Sequence, residues 1–187
     1  PWRVTLVDTG EKTNTGGRLK RIQHLVKGET FQMTYGDGVS DININKLVEF
    51  HNKHKKYVTM TTVQVPGRFG VATTDMDGKV SGFGEKISVG SSINGGFFVL
   101  NPEIFKYIKN DETSWEHDCL PEIVKDGLLF AYQYFGFWKC MDSIKDKEEL
   151  SRIADFGLEY NTIGKFDGNM NKPIISIKGK GIETLKS

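Results

Sequence analysis

The 187-residue sequence is poor in cysteine: it has two, Cys119 and Cys140, far apart and outside any C-x-x-C pattern. Two cysteines in a chain of this length make no disulfide framework, so a reducing cytoplasm is the expected setting. Its four histidines, His24, His51, His54 and His117, show neither H-E-x-x-H nor zinc-finger spacing. His51 and His54, beside Lys53, Lys55 and Lys56, read as the solvated face of a helix. An excess of one charge is also missing. Lys plus Arg number 25 and Asp plus Glu 24, a net charge of +1, which suggests neither a nucleic-acid nor a membrane partner. No run approaches the roughly 18 apolar residues of a membrane span, and no signal peptide is visible. The phosphate-loop pattern G-x-x-x-x-G-K-[ST] is absent. No Ser/His/Asp or Cys/His arrangement can be assembled, so a covalent nucleophile is not indicated. There is no internal repeat.

What is present reads as one globular domain: 37% of the residues are hydrophobic and 26% charged. The chain opens Pro1-Trp2-Arg3 without an initiator Met, as if cut from something longer or processed, and runs into a strand-like Val4–Val7. Leu19, Ile22, Leu25 and Val26 follow helical spacing, with Thr15 as a candidate N-cap. Phe31–Tyr35 reads as a strand stopped at Gly36, and a helix follows over 43–54. Tyr57–Val65 is rich in β-branched residues and reads as a strand. A hairpin is expected around Asp77-Gly78. Ser92–Asn101 is a further strand, Pro102 opens a short helix, and a second helix spans 115–125 despite Pro121. Leu128–Phe135 is a strand, the helix over 143–153 carries a capping-box pattern at Ser143 and Asp146, and Pro173–Gly181 reads as a late strand. This alternation predicts an α/β fold with a mostly parallel central sheet and some antiparallel additions.

Four constellations could carry chemistry. In Thr15–Arg21, "TGGRLKR", Gly16 and Gly17 precede a helix whose first turns hold Arg18, Lys20 and Arg21. It is either a phosphate site at a helix start or a glycine loop with a solvated basic face. In "TYGDGVSD" one acid, Asp37, sits between Gly36 and Gly38 where a buried strand ends. It is either an Asx-turn acid or a Mg²⁺ ligand, since magnesium takes one or two carboxylates and completes its shell with phosphates and water. In "GFWKCMDS", Asp142 lies at another strand-to-helix junction and is either a helix cap or the second metal ligand. Finally, Glu85-Lys86 closes one strand and Asn94-Gly95-Gly96 interrupts another, as where a sugar phosphate or a second backbone comes close. Arg68 in "PGRFG" reads as part of a turn.

In order, "PWRVTLVDTG", "TGGRLKR", "TYGDGVSD", "PGRFG", "INGGFFVLNP" and "GFWKCMDS" resemble the glucose-1-phosphate cytidylyltransferases. The resemblance covers about residues 1–150. It implies a Rossmann-like nucleotidyltransferase fold over residues 1–155, with a C-terminal extension over 156–187. It also implies transfer of a cytidylyl group from CTP to α-D-glucose 1-phosphate, giving CDP-glucose and pyrophosphate for the dideoxysugars of lipopolysaccharide O-antigens. Carried over residue by residue, Asp37 and Asp142 would hold Mg²⁺. Thr13, Gly17, Arg18 and Gly36 would lie at nucleotide or substrate. Glu85 and Lys86 would hold the sugar phosphate, and Asn94 and Gly95 would line the sugar pocket. The family suggests a homo-oligomer.

The sequence departs from the family at Ile87, where proline is usual, and at Lys139-Cys140, where Gln-Pro is usual. The family's glycine-rich G-G-x-G-T-R-L does not occur in these residues, so the fold is expected as an N-terminally truncated form. A nucleotidyltransferase using UTP or dTTP, a sugar-phosphate-binding remnant, and an oligomerisation domain are the alternatives.

Overall fold

The computed structural model describes residues 4–26, 28–64, 71–74, 80–84, 92–155 and 174–177. Its frame is a five-stranded sheet in the order β7-β3-β6-β1-β9. The strands are β1 (Phe31–Tyr35), β3 (Val58–Val63), β6 (Ile93–Leu100), β7 (Leu129–Tyr134) and β9 (Ile174–Ile177). β2 (Gly38–Ser40) pairs with β8 (Trp138–Cys140), and β4 (Val71–Thr74) with β5 (Val80–Gly84), as two small antiparallel ladders.

The sheet is mixed, and the ladders are mostly antiparallel rather than mostly parallel as expected. Among the described strands only β1·β9 and β3·β7 run parallel. The reason is one strand. β6 lies between β1 and β3 and runs against both, pairing Phe31 with Leu100 and Val58 with Leu100 at its far end. After β3 the chain makes the β4–β5 excursion and returns to the end it left, where Ile93 pairs with Val63. From there the only way back across the sheet is antiparallel.

Alternation along β6 gives the sheet two core faces. Phe98 and Leu100 join Leu19, Phe31, Met33, Ile104, Trp115 and Ile123 in the larger cluster. That cluster lies beneath α1 (Thr15–Arg21) and α3 (Leu120–Lys125). Val99 points the other way, to Ile42 and to Leu47 of α2 (Ile44–His54). Asn43 caps α2, its side chain accepting from the Lys46 N–H at 3.0 Å. The helix ends where Lys55 enters the left-handed region at φ 55°.

Several local expectations change. Val4–Val7 forms no strand, and Val4 and Leu6 are 74% and 92% exposed. A strand needs a neighbour to take its N–H and C=O groups, and none is present among the described residues. Asn14, not Thr15, precedes the first helix, which stops at Arg21 and is followed by a 3₁₀ turn at Gln23–Leu25. The helix over 115–125 is divided: a π turn at Trp115–Cys119 leads into α3, with Pro121 at its start. A proline there lacks an N–H and would crowd the preceding turn of a continuous α-helix.

The solvated-face reading of His51 and His54 is wrong. His51 is 2% exposed. Its Nδ1 lies 2.8 Å from Thr59 Oγ1 and its Nε2 3.0 Å from Asn101 Oδ1. His54 Nδ1 accepts from the Lys56 N–H at 3.0 Å, and its Nε2 lies 2.6 Å from the same Thr59 hydroxyl. The flanking lysines disguised a buried His51 and a half-buried His54 that share one threonine. The late strand survives in part as β9, which pairs parallel with β1. The Asp77-Gly78 turn and the "PGRFG" segment lie outside the described residues. No described helix is long and apolar enough to cross a membrane.

Candidate active site

β1, β3 and β7 point the same way, and their carboxyl ends gather the chemistry-bearing residues, as in other open α/β sheets. β1 ends at Tyr35, Gly36 and Asp37 follow, and β2 starts at Gly38. On the opposite strand Gly38 pairs with Cys140. One step further the Met141 N–H donates to the Asp37 carbonyl at 2.8 Å. This bond fixes the backbones of Asp37 and Met141-Asp142 against each other at the open end of the β2·β8 ladder. Asp37 is half-buried and Asp142 exposed.

The structure removes the helix-cap reading of Asp142. The helix after it, α4 (Ile144–Asp155), is capped by Ser143 and Asp146. The Ser143 N–H donates to Asp146 Oδ2 at 3.0 Å, and the Asp146 N–H to Ser143 Oγ at 3.2 Å. That reciprocal box leaves Asp142 just outside the helix, its Oδ2 accepting from the Cys140 thiol at 3.0 Å. Lys139 reaches Glu149 at 2.6 Å and Asp146 at 3.4 Å, tying β8 to α4. The Glu149 bond, with that to Asp146, raises the Lys139 pKa.

Between the aspartate-bearing strands sits the Asn94-Gly95-Gly96 segment. The β3·β6 register slips here, Met60 pairing with Phe98 but Thr62 with Asn94, so β6 bulges. Gly96 takes φ +77°, and a Cβ there would lie 2.8 Å from the Tyr35 ring. Asn94 Oδ1 accepts from the Gly96 N–H at 2.9 Å, while its Nδ2 donates to the Tyr35 hydroxyl at 3.2 Å. Tyr35 donates in turn to Glu116 Oε1 at 2.6 Å. On the other side the Trp138 indole donates to the Gly95 carbonyl at 2.7 Å. The bulge is thus held by the residue two before Asp37 and the residue four before Asp142. Burial, then Glu116, pushes the Tyr35 pKa far above its ordinary value and keeps the hydroxyl protonated.

The Thr15–Arg21 segment differs from expectation. Gly16 and Gly17 lie inside the first turn of α1 instead of preceding it. They let the helix pack on the 111–113 backbone: a Cβ on Gly17 would meet Asp111 O at 2.5 Å, and one on Gly16 would meet Thr113 O at 2.7 Å. The Gly17 N–H donates to Thr113 O at 3.2 Å, so this donor is already used within the fold. Arg18 donates to Thr9 Oγ1 at 2.6 Å and Glu11 O at 3.3 Å, and Arg21 pairs with Asp111 at 2.5 Å. Thr13 is buried, its N–H donating to Gly10 O at 3.4 Å. The Arg18 side chain and the Thr13 N–H bond within residues 9–11, so α1 meets the aspartate junctions through other side chains. The link runs through Thr15, which donates to Glu116 Oε2 at 2.7 Å. Glu85 and Lys86 lie outside the described residues.

No group of three or more His, Cys, Asp or Glu that could hold a metal is found among the described residues. Two carboxylates on adjoining strands suit Mg²⁺ that fills its shell from substrate phosphates, but would be a poor site for an all-protein ion such as structural Zn²⁺. Sequence reasoning missed Tyr35, Glu116 and Trp138. Tyr35 and Trp138 could have been suspected from their places beside the two aspartate motifs.

The chain is 47% identical over 159 residues to the glucose-1-phosphate cytidylyltransferases of Salmonella typhi and Salmonella typhimurium. Each match covers 84% of this chain, and the chain spans 62% of the length of those relatives. The fold is shared with UDP-glucose pyrophosphorylase, crystallised with UDP-glucose, at a TM-score of 0.59 and 17% identity. That match covers 80% of this chain and 65% of the other. The family model described as nucleotidyl transferase matches residues 3–142, a span that starts before Thr13 and Arg18 and closes on Asp142, and the chain therefore belongs to the nucleotidyl transferase family.

Proposed function

We propose that the protein transfers a cytidylyl group from CTP to α-D-glucose 1-phosphate, giving CDP-glucose and pyrophosphate. The observation that carries this is the 47% identity to two enzymes of that name over a stretch that includes both aspartate junctions. The β2·β8 ladder supports it, because its backbone pairing holds Asp37 and Asp142 at one end of the sheet.

In this reading Asp37 and Asp142 would hold Mg²⁺, which when bound would supply positive charge against that of the phosphates. Asn94 and Gly95 receive the sugar from the β6 bulge, with Glu85 accepting from its hydroxyls. Lys86 and Arg18 lessen the repulsion between two anionic substrates. Thr13 and Gly36 shape the nucleotide side of the cleft, and Gly17 acts there only indirectly, by seating α1 on the 111–113 backbone. A phosphate oxygen of the sugar phosphate attacks the α-phosphorus of CTP, the bond to the β-phosphate oxygen breaks, and pyrophosphate leaves. The residues of this chain supply positioning and electrostatic stabilisation, with no covalent intermediate. A cytoplasmic setting and self-association belong to the same proposal.

The test is pyrophosphate release with glucose 1-phosphate and each of CTP, UTP and dTTP. Release with CTP is expected. Release with UTP or dTTP and none with CTP would overturn the cytidylyl assignment. Asp142→Ala and Asp37→Asn are expected to lower kcat by roughly two to three orders of magnitude while leaving the thermal midpoint nearly unchanged.

A further inference from the structure

We infer that Glu116 is a positioning residue for the sugar-phosphate pocket, acting through the Tyr35 hydroxyl on Asn94. This inference rests on the proposed function, because it takes the β6 bulge as the place where the sugar phosphate binds. Glu116 lies in the π turn at 115–119, on the α1 side of the sheet, and is only half-buried.

Its carboxylate accepts on both oxygens. Oε1 takes Tyr35 at 2.6 Å; Oε2 takes Thr15 at 2.7 Å and Ser114 at 3.2 Å. With the carboxylate accepting, the direction of each next bond is fixed. The Tyr35 hydroxyl spends its one hydrogen on Glu116 and can only accept from Asn94. The Asn94 amide is then oriented by two bonds, Nδ2 to Tyr35 and Oδ1 from the Gly96 N–H. Its second Nδ2 hydrogen has no partner among the described residues and is the donor available to a ligand. A π turn on one side of the sheet therefore sets an amide on the bulge at its carboxyl end.

Glu116 is not in the substrate-contacting set carried over from the family, and its sequence context offers no ligand motif. Nor is it simply a packing residue. Thr15, bonded to Glu116 Oε2 and to the Trp115 N–H, would by itself hold the turn to α1, and the bond to Tyr35 adds nothing to that joint. What the Tyr35 bond decides is whether the hydroxyl presents a lone pair or a hydrogen to Asn94.

The experiment is a double-mutant cycle read by calorimetric titration of the 187-residue protein with α-D-glucose 1-phosphate. Glu116→Met removes every acceptor while keeping the side chain's length. Tyr35→Phe removes the relay but keeps the ring packed on Phe98, at a centroid distance of 5.7 Å. Each single variant is expected to weaken binding about tenfold, and the double variant also only about tenfold, since both cut the same line. Should Glu116→Met not fold, Tyr35→Phe alone reads the relay.

Unchanged affinity in Tyr35→Phe would overturn the inference. So would losses that multiply to roughly a hundredfold in the double variant, because Glu116 would then act independently of Tyr35. Wild-type protein that binds no glucose 1-phosphate would overturn the proposed function itself. Wild-type binding that both substitutions leave intact would overturn the inference alone.

Discussion

At Gly17 the amide donates to Thr113 O at 3.2 Å while the α-carbon faces the Asp111 backbone so closely that a methyl would sit 2.6 Å from its Cα. Neither neighbour is the loose end of a side chain, so a methyl must push two backbones apart. Gly17→Ala is therefore expected to cost about 1–3 kcal/mol, seen as a lower urea midpoint at unchanged slope. The sequence marked these glycines as a phosphate site at a helix start or as a loop beside a solvated basic face. In the structure they let α1 pack on the protein's own 111–113 segment. The places of Asp37 and Asp142 at strand ends were legible because each sits where an apolar run stops. Glu116 was not legible: its partners Tyr35 and Thr15 lie 81 and 101 residues away, and an isolated glutamate carries no sign of what it meets.

At the scale of elements, α2 is fastened to β3 by hydrogen bonds whose directions admit only a neutral His54. The Lys56 N–H must donate to His54 Nδ1, so His54 Nε2 carries the hydrogen and donates to Thr59. The Asn101 amide nitrogen donates to Lys56 O, leaving its Oδ1 to accept from His51 Nε2 and from Thr30. His51 Nδ1 then accepts the Thr59 hydroxyl hydrogen. A proton on His54 Nδ1 would set donor against donor at the Lys56 N–H. Burial first, and the neighbouring His51 and Lys56 after it, lowers the His54 pKa below its ordinary 6.5. The remaining ring neighbours, Phe50 and Phe130, bring no charge.

Because the folded value is depressed, the unfolded chain binds more protons below pH 6.5. Stability is thus full above that pH and falls as the pH drops through it toward the folded value. Urea midpoints measured from pH 8 to 5 are expected to decline in the wild type. The decline should be smaller in His54→Gln, which has no ring to protonate. Helix periodicity had placed α2 correctly. It could not show that His51 faces inward, because three nearby lysines dominate the local composition.

At the scale of the whole molecule, strand positions were readable and strand directions were not. β-Branched residues and glycine stops mark where β1, β3, β6 and β7 lie. Nothing in the composition of Ile93–Leu100 tells which way it runs, and that one direction decides whether the sheet is mostly parallel. The exposed apolar stretch at Val4, Leu6 and Val7 has a consequence at this scale too. It has no strand partner among the described residues, and an exposed apolar segment promotes contacts between molecules. Leu6→Glu is expected to reduce concentration-dependent light scattering while shifting stability by less than about 0.5 kcal/mol.

The reversal of β6 also bears on how such a protein can change over time. Because β6 returns to the place β3 left, everything between Val63 and Ile93 is one excursion closed at its base by a strand pair. The entropic cost of closing such an excursion grows only with the logarithm of its length, so each doubling costs about 0.6 kcal/mol more. Residues can be added or removed there with little penalty to the sheet. The Glu85-Lys86 pair lies in that excursion. The groups expected to recognise the sugar phosphate can therefore be redrawn without disturbing the strands that carry Asp37 and Asp142.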